Sequence, residues 1–89
     1  MAQTRVTEIK NDLGLHARAA ALFVKTSNKY KSNLKVTKDG QQVNGKSIMG
    51  VLMLAAAKGS KLTLEAEGED AIQMLDELTR LVESGFGEI

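Results

Sequence analysis

The segment best suited to chemistry surrounds the one histidine of the sequence, His16, which is followed two residues later by Arg18. From Leu15 onward, apolar residues recur at three- and four-residue spacing, which predicts an amphipathic helix. His16 therefore falls at the first turn, beside backbone N–H groups that lack partners within the helix. A helix start with a nearby arginine can bind an oxyanion such as phosphate. A neutral imidazole placed there could also accept a phosphoryl group on a ring nitrogen.

The residues alone leave two interpretations of this segment open. A lone histidine near a helix start is more often a cap or a packed surface residue than a nucleophile. Arg18 favours the functional interpretation. The helix dipole disfavours a cation at the N-terminus, and a residue placed against that preference hints at function. The spacing therefore supports an oxyanion site without excluding a structural role.

Two motifs carry a resemblance to a known family. GLHAR, at 14–18, resembles the active-site motif of the HPr family, the histidine-containing phosphocarriers of the sugar phosphotransferase system. VNGKSIMGV, at 43–51, resembles that family's regulatory-serine segment, and the two motifs are about as far apart as in the family. The resemblance extends over essentially the whole chain, which is identified as one HPr-like domain over residues 1–89.

The resemblance implies a phosphoryl carrier that is not itself an enzyme. His16 would take the phosphoryl group on Nδ1 from phosphoenolpyruvate through enzyme I and pass it to an enzyme IIA domain. Arg18 would stabilise the phosphoryl oxygens, and Ala17 would offer its backbone N–H at the helix start. The sequence has no cysteine and a single histidine, so no metal site is expected. No cofactor is expected either.

One residue departs from the family pattern. Ala19 stands where proline commonly follows the arginine, and proline suits a first helical turn because its missing N–H would be unpaired there anyway. Alanine keeps the helix but leaves the unfolded chain more flexible, at a cost of about 0.4–1 kcal/mol. The chemistry is expected to survive, whereas the rigidity of the His16 loop and the branch of the family are in question.

Ser47 has a structural and a regulatory interpretation, and the two coexist. It follows a Gly-Lys pair and precedes an apolar run, which suits the N-cap of a short helix. By resemblance, it is also the serine that an ATP-dependent HPr kinase/phosphorylase modifies in Gram-positive-like members. A phosphate suits a helix N-terminus, yet it would place a dianion beside apolar docking residues and block partner binding.

The apolar run after Ser47 predicts a docking surface, because a short helix cannot bury every face of such a run. An exposed apolar patch on a small protein usually marks a partner surface, and methionine suits several partners. The docking residues that the resemblance implies are Ala20, Ile48, Met49, Leu52 and Met53. The implied partners are enzyme I and enzyme IIA domains, with the HPr kinase/phosphorylase and a transcription regulator as further candidates, and a monomer is expected.

Composition narrows the remaining possibilities. Eighty-nine residues fit one small domain whose core must be mostly aliphatic. No signal-peptide segment or bilayer-length apolar run is present, so a cytoplasmic protein without membrane insertion is expected.

Residues 1–61 carry eleven bases and three acids, whereas residues 62–89 carry one base and eight acids. This asymmetry favours a basic face around His16 for an acidic partner, with segregated surface charge as the alternative.

The apolar pattern predicts an α+β fold of the order βαββαβα. Alternation and helical spacing place the strands near 4–9, 34–38, 41–44 and 61–67, and the helices from about 17 to 27 or 28, after 47 and from 70. Asp39-Gly40 predicts a two-residue hairpin turn. Apolar strand faces predict a four-stranded antiparallel sheet with helices packed on one face, and the resemblance implies the detailed topology, an open-faced β-sandwich.

The last helix carries predictions about its surface and its end. Asp76 and Glu77 are predicted to pair with Arg80 at helical spacing. Gly85 is predicted to stop the helix, and residues 86–89 are predicted to be loosely ordered.

Two other classes compete with a phosphocarrier. A small phosphatase of acylphosphatase type has a similar size and element order, but its glycine-rich anion loop is absent, and nothing near His16 provides acid–base chemistry. A nucleic-acid-binding module suits the basic half, yet three scattered aromatic residues give no stacking platform, so no nucleic-acid partner is expected. Within the family, the alternative is a regulatory paralogue, of nitrogen type or a Ser-phosphorylated co-regulator, that moves no sugar.

Overall fold

The fold is an antiparallel sheet covered on one face by helices, as the sequence predicts. The computed structural model describes residues 2–88, and its elements in chain order are β1 (Gln3–Glu8), α1 (Ala17–Ser27), β2 (Asn33–Lys38), β3 (Gln41–Asn44), α2 (Ile48–Met53), β4 (Lys61–Glu67) and α3 (Ala71–Glu83). A short 3₁₀ turn, Gly85–Gly87, follows α3. The predicted βαββαβα order is confirmed.

The four strands form one sheet in the order β1-β4-β2-β3, and every neighbouring pair is antiparallel. β4 buries its alternate apolar residues as predicted. β1 starts and ends one residue before the prediction, and it buries Thr7 while Val6 is 61% exposed. Thr7 lies opposite Leu62 on the inner face, and its burial is tolerated because its hydroxyl donates to Glu83 at 2.7 Å.

Asp39 and Gly40 form the turn between β2 and β3. Their φ values are 50° and 81°, and Lys38 pairs with Gln41 across the turn. Positive φ at both central residues gives a turn whose twist matches that of the flanking strands. The predicted hairpin is confirmed.

The core lies between the sheet and the helices α1 and α3, and it is mostly aliphatic as predicted. The largest fully buried apolar side chains include Phe23, Ile9, Leu62, Leu64, Met74, Leu75, Leu78, Val36, Val51 and Val82. Residues of β2, β4 and all three helices belong to the buried cluster, together with Ile9 just beyond β1, and Val43 of the edge strand β3 packs against it. No helix within residues 2–88 has the length and apolar character to cross a membrane.

The predicted pairing of Asp76 and Glu77 with Arg80 is wrong. Asp76 Oδ1 lies 2.6 Å from Arg5 Nη2 on β1, and Glu77 binds Lys29 just beyond α1. A helical ion pair stabilises by only a few tenths of a kcal/mol. Such a weak preference is readily overridden by partners on the elements that pack against α3.

The prediction of a loose segment after α3 is also wrong for residues 86–88. Gly85 does end the helix as predicted, with a φ of 68°. Phe86 then adopts a left-handed φ of 56°, and its side chain is 3% exposed within the core. This turn carries Glu88 back to the loop before α1, where its carboxylate meets Asn11. Ile89 lies outside the described residues.

Candidate functional site

His16 is the N-cap residue of α1, immediately before the first helical residue. Its φ and ψ are −77° and −178°, and its carbonyl accepts a helical hydrogen bond from the N–H of Ala20 at 2.8 Å. The imidazole is 29% exposed. The predicted place of His16 at the helix start is therefore confirmed, with the ring at the cap position.

A tight backbone arrangement delivers His16 to that position. Leu15 is buried, and its N–H donates at 2.8 Å to the carbonyl of Ala56, which lies beyond α2. Gly14 has a φ of 66°, and a Cβ on it would lie 2.4 Å from the same carbonyl oxygen. Glycine is therefore required at position 14 by both the backbone conformation and the available space.

The imidazole is held by a carboxylate that sequence reasoning missed. His16 Nε2 lies 2.5 Å from Glu88 Oε2, and Asn11 Nδ2 donates to Glu88 Oε1 at 2.8 Å. Because an ionised carboxylate can only accept, this contact places the one proton of a neutral imidazole on Nε2 and leaves the lone pair on Nδ1. Glu88 is 72 residues away in the sequence. The sequence offered one indirect signal. Phe86 is apolar and therefore favours packing into the core, which would hold the acidic residue shortly after it close to the rest of the fold.

Glu88 is ionised at neutral pH. Its burial opposes ionisation, but hydrogen bonds from Asn11 and His16, together with the charge of Arg18, outweigh burial and lower the pKa of the carboxyl. Arg18 Nη1 lies 4.0 Å from Glu88 Oε2, and the arginine side chain is 70% exposed. The guanidinium is thus beside the site and remains accessible to a further anion.

The start of α1 is open to a ligand. Among the residues that the structure describes, none caps this helix with a side-chain hydrogen bond. By helix geometry, the N–H groups of Ala17, Arg18 and Ala19 have no partners within the helix, and they carry the positive end of its dipole. Within residues 2–88, no three His, Cys, Asp or Glu side chains are grouped to hold a metal ion. The groups present are a nucleophilic ring nitrogen, a guanidinium and N–H donors, which together can stabilise a phosphoryl group.

Ser47 is the N-cap of α2, as predicted. Its hydroxyl oxygen accepts a hydrogen bond from the N–H of Gly50 at 3.1 Å, and its backbone is extended. The helix is six residues long, consistent with the expectation of a short helix. A Cβ at Gly50 would lie 3.2 Å from the carbonyl oxygen of Asn44, so glycine allows α2 to lie close to the end of β3.

Three side chains on α2 form an exposed apolar patch, which we call the α2 patch. They are Ile48, Met49 and Met53, with exposed fractions of 44%, 71% and 65%. Leu52 is half-buried and packs against the core. The inclusion of Ala20 in a docking surface is wrong, since Ala20 lies on the inward stripe of α1 and is fully buried.

Leu13 is a further exposed apolar residue that sequence reasoning missed. It is 71% exposed in the loop that leads to the imidazole. A cavity beside it is also lined by Lys10, Asp12, Lys58 and Glu88. Lys58 Nζ donates to Asp12 at 2.8 Å, and this hydrogen bond lowers the pKa of the aspartate. The predicted basic face is therefore partly neutralised at this edge of the site.

The fold and the site together define a class: a small α+β domain with a histidine at an open helix start beside an arginine. A comparison with protein families then gives the identity. The pattern described as the PTS HPr component phosphorylation site, where PTS is the phosphotransferase system, matches residues 3–84. The chain belongs to the HPr phosphocarrier family.

Individual relatives agree with this assignment. Phosphocarrier protein HPr of Neisseria meningitidis is 52% identical over 81 residues, which cover 91% of each chain. A crystal structure of an HPr from Thermoanaerobacter tengcongensis matches with a TM-score of 0.94 at 47% identity, covering 98% of each chain. Crh, a Bacillus subtilis catabolite repression protein described as a dimer with a swapped domain, matches with a TM-score of 0.76 at 42% identity, covering 96% of this chain and 97% of that one.

Proposed function

We propose that this chain accepts a phosphoryl group on Nδ1 of His16 from phospho-enzyme I and passes it to an enzyme IIA domain. The observation that carries the proposal is the contact between His16 Nε2 and Glu88, which leaves the lone pair on Nδ1. Membership of the HPr family supports partners from the phosphotransferase system. The proposed transfer uses neither a cofactor nor a metal.

In the acceptance step, the Nδ1 lone pair of His16 forms a bond to phosphorus while the bond from phosphorus to the donor breaks. The electron pair of that bond leaves with the donor. Arg18 and the N–H group of Ala17 stabilise the negative charge on the peripheral oxygens. Because positioning and charge stabilisation supply most of such a reaction, an accessible site on a rigid helix start is sufficient. The group then remains on the ring until an acceptor arrives, as a carrier requires.

Partners would dock on the α2 patch and on Leu13. α2 packs against α1, so the patch lies on the neighbour of the helix that His16 caps. Exposed methionines adapt to several partner surfaces, and a carrier must bind a donor and an acceptor in turn. Arg18, exposed beside the apolar residues, adds attraction for an acidic partner.

Ser47 is proposed as a regulatory phosphorylation site for an ATP-dependent HPr kinase/phosphorylase. A phosphate at this N-cap would accept hydrogen bonds from the start of α2. It would also set a dianion next to Ile48 and Met49, which are exposed. Apolar partner surfaces would then dock poorly, while a transcription regulator with basic side chains could recognise the modified form.

A second candidate function is regulation without sugar transport, which the similarity to Crh favours. Delivery of the phosphoryl group from His16 to a sugar-specific enzyme IIA domain separates the two functions. We also propose a cytoplasmic monomer that binds no nucleic acid. Light scattering distinguishes this monomer from a swapped dimer of the Crh kind.

The decisive experiment is intact-mass spectrometry after incubation with phosphoenolpyruvate and enzyme I. We expect one added phosphoryl group that acid removes, and none on the His16→Ala variant. Ser47→Ala is the matched control, because it should gain the same acid-labile group as the unmodified chain. Absence of the group from the natural sequence, or its persistence in His16→Ala, would contradict the proposed function.

A further inference from the structure

Asn11 and Glu88 form a hydrogen-bonded pair behind the imidazole. Asn11 is 1% exposed, and its Nδ2 donates to the carbonyl of Gly14 at 2.9 Å as well as to Glu88 Oε1 at 2.8 Å. Reversing the amide would set its oxygen against two acceptors, so these contacts fix its orientation. Asn11 Oδ1 finds no hydrogen-bond partner within residues 2–88.

The two oxygens of Glu88 serve different neighbours. Oε1 accepts from Asn11, while Oε2 lies 2.5 Å from His16 Nε2 and 4.0 Å from Arg18 Nη1. The carboxylate is 11% exposed, so water competes weakly for it. A buried amide therefore orients the carboxylate, and the carboxylate orients the imidazole. This is the arrangement by which a third group fixes a nucleophile and its tautomer.

We propose that Glu88, held in place by Asn11, is a positioning residue that keeps a proton on Nε2 of His16 throughout phosphoryl transfer. The inference rests on the proposed function and adds a residue to it. The proposed function uses the contact with Glu88 only to leave the lone pair on Nδ1 of the free ring, whereas this inference gives Glu88 and Asn11 a role in the phosphorylated state as well.

The chemistry shows why the proton matters. When the Nδ1 lone pair bonds to phosphorus, the ring with its Nε2–H becomes cationic, and the Glu88 carboxylate balances that charge. On delivery the N–P bond breaks, its electron pair returns to Nδ1, and the leaving group is a neutral imidazole. If Nε2 had lost its proton, the leaving group would be an imidazolate anion, which leaves far more slowly. Glu88 thus keeps the carried group transferable.

The charged groups around the ring come from four segments. Arg18 stands on α1, Glu88 follows the 3₁₀ turn, and Lys10, Asp12 and Lys58 line the adjoining cavity with Glu88. Lys58 is paired with Asp12, which reduces the influence of both on the ring. Among these groups, Glu88 makes the direct contact with Nε2. The pH dependence of transfer should therefore respond to Glu88 first.

The test compares Glu88→Gln with the unmodified chain and with Glu69→Gln, which removes the same charge at an exposed position. Each protein is phosphorylated with enzyme I, and its transfer to an enzyme IIA domain is timed from pH 6 to pH 10. We expect the high-pH decline of the rate to move about one pH unit lower in Glu88→Gln, which is about tenfold in the protonated fraction. Glu69→Gln should follow the unmodified chain. Asn11→Ala should give a smaller shift in the same direction.

A second readout needs no phosphoryl group. Nitrogen-15 spectra of the unphosphorylated ring should show the proton on Nε2 in the unmodified chain, with a larger share on Nδ1 in Glu88→Gln. If the mass experiment fails while this spectral change appears, the proposed function and the role in transfer are lost, and what stands is that Glu88 sets the tautomer of the free ring. If His16 is phosphorylated but Glu88→Gln reproduces both the pH profile and the spectra, the inference is overturned.

Discussion

Two helix starts in this molecule treat their unpaired N–H groups in opposite ways. At α2, the hydroxyl of Ser47 turns back and accepts from Gly50, so the chain satisfies its own donor. At α1, His16 holds the same cap position, but its ring nitrogen is engaged with Glu88, and no described side chain caps the helix. The same structural feature, a helix N-terminus, therefore has two different uses in this molecule. A filled cap stabilises a short helix, whereas an open one keeps its donors and partial charge for a ligand.

The largest effect, on the rate of phosphorylation, should follow from removing the arginine beside the uncapped start of α1. Arg18→Ala should slow phosphorylation by phospho-enzyme I about 100-fold, similar to the loss of one oxyanion donor. Stability should not fall, because the helix dipole disfavours a cation there. Quenched-flow mass spectrometry measures the rate, and Lys25→Ala, an exposed cation in the last turn of the same helix, is the control. Equal slowing by both variants would show that total charge, and not the place of Arg18, controls the reaction.

Removing the side-chain cap of α2 should have an intermediate effect, which is a loss of stability. Ser47→Ala should lower the free energy of unfolding by about 1 kcal/mol in urea titrations, because the donor of Gly50 loses its acceptor. Ser47→Asp should recover most of that stability, since aspartate also caps and its charge suits a helix start. The same charge should slow docking of enzyme I. If Ser47→Asp were as unstable as Ser47→Ala, capping would not explain the role of this residue in stability.

The smallest effect, on the pH dependence of stability, should come from the start of α3. The side chain of its N-cap residue, Asp70, makes no capping hydrogen bond to the helix. Asp70 accepts from the N–H groups of Lys31 and Ser32, at 2.9 Å each, and from the hydroxyl of Ser32. These bonds, led by that of the hydroxyl, lower the pKa of Asp70 to about 2. The folded pKa lies below the unfolded value of about 3.9, so this stabilisation is complete above about pH 4 and is lost as the pH falls toward 2.

Urea midpoints between pH 6 and pH 2 check this window. Asp70→Asn should flatten the loss of stability below pH 4, with a residual slope from the other carboxylates whose pKa values are lowered. Glu69→Gln should retain the slope of the unmodified chain. An unchanged slope in Asp70→Asn would assign the acid sensitivity to other groups.

The features that were predicted correctly depend on short-range patterns. The α1 helix, the Asp39-Gly40 turn and the Ser47 cap involve residues within a few positions of one another, where spacing and turn chemistry act directly. The pairing of Glu88 with His16 spans 72 residues, and that of Thr7 with Glu83 spans 76. No periodicity reports such contacts, because they depend on how the elements pack.

The error at Ala20 has a different origin. Its docking role came from family resemblance, although Phe23 and Val24 follow it at three and four residues, and that spacing places all three on one helix face. The structure buries the three together. The local pattern was therefore the better guide to this side chain than the resemblance.

The loop before α1 is fastened to the chain beyond α2 by backbone hydrogen bonds. The N–H of Ile9 donates to Ser60, and the N–H of Gly59 donates back to Ile9. The bond from Leu15 to Ala56 closes the other end of the loop. The loop therefore loses its conformational entropy during folding, and little remains to be lost when a partner binds. A surface prepared in this way needs no slow rearrangement on encounter, so complexes with short residence times can succeed one another quickly.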